Sequence, residues 1–216
     1  MLIGAPGAGK GTLAQALEAE GEYKHISSGN ILRAEIKSGS EFGREIANII
    51  DAGNLVSDEL ALKIVSNAIE KEKVVEKILL DGYPRNLKQA RDLEEELRKH
   101  GKKVDLVINV FASKEVIEQR LVNRLTCPVC HAVYNIITAP PKNDNKCDKC
   151  NATLIHRPDD SLEVVRKRHD IYQKETFPLT TYYKEKGLLK DIKSGEVEKS
   201  VAEVNLYLAS RRGIRP

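Results

Sequence analysis

The chain has 216 residues, enough to bury a substantial core as one domain with insertions rather than two independent domains. Its 35 Lys+Arg stand against 32 Asp+Glu, a net +3, and no long basic run marks a nucleic-acid surface. No apolar stretch nears the ~20 residues that span a bilayer, and the opening MLIGAPG lacks the head and apolar body of a signal peptide, so a cytoplasmic enzyme without membrane or nucleic-acid partners is expected.

In chain order, short apolar runs at 1–3, 23–26, 78–81, 104–110 and 188–192 read as strands. The first is shorter than the mean strand of ~5–6 residues, which suggests a truncated or trimmed edge. Helical spacing separates the runs. Leu87, Ala90, Leu93 and Leu97 share one face, and Val116, Ile117, Leu121 and Leu125 share another. Ser57, Asn86 and Ser113 are placed as N-caps. Strands alternating with helices predict a parallel α/β sheet covered on both faces, with ligands at the carboxyl ends of its strands. Two segments break the rhythm. Residues 27–56 read as short helices with Gly and Ser turns, and residues 123–160 hold every cysteine; both look like insertions on the ligand side.

The strongest motif is GAPGAGKGT from Gly4 to Thr12, a glycine-rich phosphate-binding loop between a strand and a helix. Its backbone N–H groups and the helix dipole face an anion, and Lys10 adds a mobile charge for outer phosphates. Gly11 stands where a magnesium-binding hydroxyl usually follows the lysine, and Thr12 comes one residue later. Magnesium would then be held chiefly by water and phosphate oxygens. In LLDGYPR, Asp81 ends a buried strand as a carboxylate for hydrated magnesium, and Arg85 offers a planar fork for phosphate.

Cys127 and Cys130, then sixteen residues, then Cys147 and Cys150 match a two-knuckle metal site. Four thiolates close a tetrahedral shell, so a structural zinc is expected, with iron the alternative from ligands alone. Disulfides are disfavoured in a reducing compartment. With the cysteines saturating the metal, His131 and His156 read as surface residues, and His25, His100 and His169 show no partner pattern.

GAPGAGKGT, SSGNILR at 27–33, DAGNLVSDE at 51–59, LLDGYPR at 79–85 and RPDDSLEVVRKR at 157–168 together resemble the adenylate kinase family, in the family's order and over nearly the whole chain. The four-cysteine segment resembles the zinc lid of its long bacterial form. The resemblance implies a P-loop NTPase-like, five-stranded parallel core formed by 1–26, 57–122 and 161–216. A mobile AMP-binding helical insertion at 27–56 and a mobile lid at 123–160 complete it. It implies reversible phosphoryl transfer from MgATP to AMP giving two ADP, by a monomer.

Carried to matching positions, Gly7, Ala8, Gly9, Lys10, Gly11 and Thr12 resemble the ATP loop, with Arg120 and Arg124 the ATP-phosphate arginines. Those two are four apart and are expected on one helix face. Tyr134 and Asn135 border the nucleotide in the lid, and Glu196 lies near the ATP adenine. Ser28, Arg33, Asn54, Leu55, Val56, Gly82, Tyr83, Pro84, Arg85 and Gln89 resemble the AMP site. Gln89 can donate to and accept from an adenine edge. Arg157 and Arg168 resemble the pair closing over the transferred phosphoryl group, so Lys10, Asp81, Arg85, Arg124, Arg157 and Arg168 carry the catalytic expectation. Asn30 replaces the usual Asp of the family's SxGDxLR pattern, which removes a negative charge. The alternatives are a kinase accepting UMP or CMP, or using GTP as donor, and more remotely an ATPase whose cysteine ribbon binds nucleic acid.

Overall fold

A computed structural model of the chain describes residues 1–21, 23–72 and 77–211; the end of the expected 161–216 core segment lies outside them. Its strands are β1 (Leu2–Ile3), β2 (Lys24–Ser27), β3 (Ile78–Asp81), β4 (Val107–Phe111), β5 (Arg124–Thr126), β6 (Val133–Asn135) and β7 (Leu189–Lys193). The helices are α1 (Lys10–Ala19), α2 (Ser28–Lys37), α3 (Glu41–Asp51), α4 (Asp58–Lys71), α5 (Leu87–Lys99), α6 (Lys114–Val122), α7 (Leu162–Ile171), α8 (Pro178–Glu185) and α9 (Val197–Arg211). The five long-range strands form one parallel sheet in the order β2-β3-β1-β4-β7. β5 and β6 pair separately and antiparallel. All five expected strands are present, but β1 is the centre of the sheet, not an edge.

Alternation along the strands sends their side chains to two cores. Leu2, Leu79, Ile108 and Ile192 pack with Leu13, Leu17, Val201 and Val204 under α1 and α9. Ile26 and Leu80 face the other way, against Val65, Ile69, Leu93 and Leu97 of α4 and α5. Ile3 and Val107 meet Leu179 and Tyr183 of α8. Strands sandwiched this way are apolar on both faces, so their sequences read as short continuous runs.

Helix starts follow local chemistry. Ser57, Asn86 and Ser113 each accept a backbone N–H from the first turn, as their positions predicted, and Ser27, Ser40 and Ser161 do the same for α2, α3 and α7. Leu87, expected on the buried face of α5, is instead exposed at its first turn. The α6 pattern also runs past its helix. Asn123 closes α6, its amide donating to the Gln119 carbonyl at 2.9 Å, and Arg124 and Leu125 belong to β5.

Because the sheet is parallel, the carboxyl ends of all five strands share one edge. That edge carries the loop after β1, Ser28 after β2, Asp81 of β3 and Ser194 after β7. Replacing fully buried Leu93 by Ala is expected to cost about 2–5 kcal/mol in chemical denaturation, since it opens a cavity between α4, α5 and the sheet.

Candidate active site

The loop after β1 is shaped by close approach. A Cβ on Gly4 (φ 140°) would run into the Val110 carbonyl of β4. Gly9 (φ 99°) precedes α1 with Ser194 Oγ 3.0 Å from where its Cβ would stand. Helix α1 begins at Lys10, so the positive end of its dipole faces the loop. Lys10 Nζ donates to the carbonyls of Gly4 (2.8 Å) and Ala5 (2.9 Å) and stays inside the loop's curve. Burial pulls its pKa down from 10.5 to about 8; Asp81 opposes that shift, while Arg85, Arg168 and Arg124 add to it.

Asp81 faces the same point from β3. Its Oδ2 lies 3.5 Å from His25 Nε2, and also 3.5 Å from where a Cβ on Gly11 would be. Burial pushes its carboxyl up, but His25, Lys10 and Arg85 outweigh that and hold it below the usual range. The cleft therefore keeps one ionised carboxylate beside the residue that follows the loop lysine. That is a hard oxygen donor in the place a hydrated magnesium would need.

Arginines close the cleft from several elements. Arg124 makes a bidentate pair with Asp160, at 2.8 and 2.6 Å. Arg168 of α7 binds Asp159 Oδ2 (2.5 Å) and Asp160 Oδ1 (3.3 Å). Both aspartates lie in the 3-10 turn Pro158–Asp160 and are only 6% exposed. Burial alone would raise Asp159, yet Arg168, Arg124, Arg157 and Arg33 hold its carboxyl below the ordinary range. Arg157 donates to Thr126 Oγ1 (2.9 Å); burial, then Arg124 and Arg33, push its pKa down. Arg33 is pushed down in the same way, chiefly by burial. It donates to Asn30 Oδ1 at 2.7 Å, so the substituted Asn30 still serves this arginine, as a neutral acceptor.

The sequence candidates line two adjoining cavities. The larger, about 530 Å³, takes in Gly7, Gly9, Lys10, Gly11, Thr12, Asp81, Arg120, Arg124, Asn135, Arg157 and Glu196. The smaller, about 70 Å³, takes in Ser28, Asn54, Val56, Tyr83 and Gln89. Arg33, Leu55, Gly82, Arg85 and Arg168 line both, while Pro84 lines only the larger. Ala8 lines neither: its side chain is in the core and its N–H donates to the Ala5 carbonyl at 3.1 Å.

Arg120 and Arg124 do not share a helix face. The chain leaves α6 between them, so Arg120 turns to Ser194 Oγ (2.6 Å) and Arg124 to Asp160. His131 is half-buried at the larger cavity rather than on the surface, and its carbonyl accepts from Gln15 (3.2 Å). His156 is exposed as expected. His25 does have a partner, Asp81. Ser194, Thr126, Asp159 and Asp160 were missed as site residues. Only the aspartates had a signal, since they follow Arg157 and Pro158 in the RPDD stretch.

The four cysteine sulfurs lie within 4.8 Å of one another. Cys127 and Cys150 Sγ are 3.4 Å apart, as are Cys130 and Cys147, with Cys130 and Cys150 at 3.6 Å. Thiolates at ~2.3 Å from one ion would stand about 3.8 Å apart, so the cluster fits a tetrahedral metal after a slight expansion. Backbone N–H groups of Val129 (3.4 Å) and Cys130 (3.5 Å) already point at Cys127 Sγ, which suits a thiolate. Tyr134, expected only at the nucleotide, also sends its hydroxyl to Cys147 Sγ at 3.4 Å.

A cleft that gathers this much positive charge over a glycine loop is built for phosphate groups, and the sheet that carries it is that of a P-loop kinase. The adenylate kinase family model matches residues 2–188. An adenylate kinase of Caldanaerobacter subterraneus subsp. tengcongensis is 45% identical over 204 residues, covering 94% of this chain and 91% of the relative. One from Archaeoglobus fulgidus is 43% identical over 192 residues, covering 89% and 88%, and one from Pseudothermotoga lettingae is 41% identical over 203 residues, covering 94% of each. The chain belongs to the adenylate kinase family, and its activity is that of a nucleoside monophosphate kinase. Among the described residues, no helix is long and apolar enough to cross a membrane.

The depressed Lys10 gives a signed expectation. Between about pH 8 and 10.5 the folded, nucleotide-free protein has released a proton that the unfolded chain still holds, so Lys10 adds stability as pH rises through that window. Below pH 8 its burial is a net cost. Lys10→Met is therefore expected to flatten the rise of unfolding free energy with pH across this window, measured by urea titration at successive pH values.

Proposed function

We propose that the chain transfers the γ-phosphoryl group of MgATP to AMP, giving two ADP, with ATP in the larger cavity and AMP in the smaller. The observation that carries this reading is the shared wall: Arg33, Arg85 and Arg168 line both cavities, where two nucleotides would bring their phosphates together. Phosphoryl transfer asks a protein mainly for positioning and charge neutralisation. An AMP phosphate oxygen forms the new bond to the γ-phosphorus as the bond to the departing ADP oxygen breaks, with no protein nucleophile.

In this reading Lys10 exchanges its carbonyl partners for phosphate oxygens, and Arg120, Arg124, Arg157 and Arg168 neutralise the transferring group. Arg85 and Arg33 hold the AMP phosphate. Ser28, Asn54, Leu55, Val56, Gly82, Tyr83, Pro84 and Gln89 surround its nucleoside, while Asn135, Tyr134 and Glu196 border ATP. Asp81 and Thr12 face the water shell of magnesium. When bound, that ion neutralises charge on the ATP phosphates.

Residues 27–56 and 123–160 act as two covers that close over AMP and ATP and exclude water, a competing phosphoryl acceptor. The cysteine cluster holds a structural zinc that stiffens the second cover. In this reading the enzyme works in the cytoplasm as a monomer, without nucleic acid or membrane.

Lys10→Met is expected to lower turnover by orders of magnitude while keeping the fold by circular dichroism; near-normal turnover would sink its assigned role. Arg85→Ala should act mainly on AMP use. ADP formation from ATP with AMP, UMP, CMP and GMP tests the acceptor directly, and a preference for a pyrimidine would redirect the reading. Elemental analysis of protein purified without chelator is expected to give one zinc per chain, and Cys147→Ser to lose it; iron, or no metal, would overturn the zinc assignment.

A further inference from the structure

Gln89 is 2% exposed, and its carboxamide is held at both ends. Its Oε1 accepts the backbone N–H of Arg85 at 2.7 Å, and its Nε2 donates to Asp58 Oδ1 at 2.8 Å. The same Asp58 oxygen accepts the Asn86 amide at 2.9 Å, and Asp58 Oδ2 lies 3.7 Å from Lys88 Nζ. With Asn86, Gln89 and Lys88 around it, the carboxylate stays ionised, below its ordinary range although partial burial opposes this. An ionised carboxylate only accepts and a backbone N–H only donates, so neither partner tolerates an inverted amide.

A carboxamide has two N–H donors and two acceptor lone pairs. One of each is spent, which leaves one donor and one acceptor for the small cavity that Gln89 lines. Adenine presents a complementary edge, a donating 6-amino group beside an accepting N1. A 6-oxopurine presents the reverse, an accepting oxygen beside a donating N1–H. To serve it the amide would have to turn over, placing Oε1 against the Asp58 carboxylate and NH2 against the Arg85 N–H. Both favourable contacts would become repulsive ones.

We propose that Asp58 is a specificity-determining positioning residue, which selects 6-aminopurine over 6-oxopurine monophosphates by locking the polarity of the Gln89 amide. The proposal rests on Gln89 meeting the base of the acceptor nucleotide. Asp58 itself does not touch the substrate; it acts at the first turn of α4, through a side chain of α5.

The test measures kcat/KM with AMP and with IMP, at saturating MgATP, for the whole enzyme. In Asp58→Asn the neutral amide can rotate to offer either a donor or an acceptor. The AMP-to-IMP preference is then expected to fall about tenfold, the scale of one hydrogen bond to a charged group. A preference unchanged from wild type would overturn the proposal. Asn86→Ala separates selectivity from stability, because it removes the carboxylate's other amide partner and the α5 N-cap but spares the Gln89 contact. It is expected to lower the melting temperature and leave the preference alone. An equal fall in that variant would assign Asp58 a merely structural role and overturn the proposal. Gln89→Leu tests the underlying reading. If it alters neither the AMP KM nor the preference, the base contact itself is wrong. If it alters both while Asp58→Asn alters neither, only the lock fails.

Discussion

Cations crowded into one cleft repel one another, and the architecture answers that repulsion with a limited set of buried carboxylates. Seven basic side chains line the cavities, Lys10 and Arg33, Arg85, Arg120, Arg124, Arg157 and Arg168, while Asp81, Asp159 and Asp160 oppose them. Complete pairing would leave no field for a phosphate, and no pairing would make the folded state untenable. The intermediate arrangement keeps a surplus of positive charge. Its cost is visible in the lowered pKa values of Lys10, Arg33, Arg85, Arg157 and Arg168, burial being the largest cause in each case. A polyanion that enters offsets the repulsion among these cations, and that relief contributes to binding.

Placement of the carboxylates divides the work. Asp159 and Asp160 occupy one short turn and fix Arg168 and Arg124 with geometry suited to planar guanidinium groups. Asp81 instead stands at the end of β3 and faces the lysine loop across Gly11. Among the described residues, Arg157 hydrogen-bonds to a neutral hydroxyl alone, that of Thr126. The arginines therefore differ in freedom: two are held by carboxylates, while Arg33, Arg120 and Arg157 rest on neutral acceptors and are easier to redirect toward a ligand.

The sheet was legible because each strand is a short apolar run next to a helix with a polar start, and the caps Ser57, Asn86 and Ser113 announce themselves locally. The glycine loop, Asp81 and the arginines were legible as motif residues, and the structure brings all of them except Ala5 and Ala8 to the cavities. Two kinds of information were not local. Helical spacing continued through Arg124 and Leu125, but an asparagine C-cap and pairing with β6 ended the helix before them. The partners that aim site residues, Ser194 for Arg120, His25 for Asp81 and Asp58 for Gln89, come from distant elements, and nothing in their own sequence neighbourhood marks them. A small polar residue at the end of a strand or the start of a helix has many uses, and only tertiary proximity selects one.

The cysteine cluster belongs to the same logic of fixing charge. The core of its segment is small: Leu125, Ala132 and Leu154 with Cys127 and Cys147. So little apolar surface cannot by itself hold a hairpin in one geometry. Yet β5 starts with Arg124 and ends with Thr126, the partner of Arg157, and Cys127 follows at once. Thr126 also bridges Ile155, two residues before Arg157. Whatever ties the four sulfurs together thus bears on two arginines of the cleft, Arg124 three residues before Cys127 and Arg157 through its hydrogen bond to Thr126. A cross-link at this point positions charge as well as holding the hairpin, and its stiffness passes directly to the cleft.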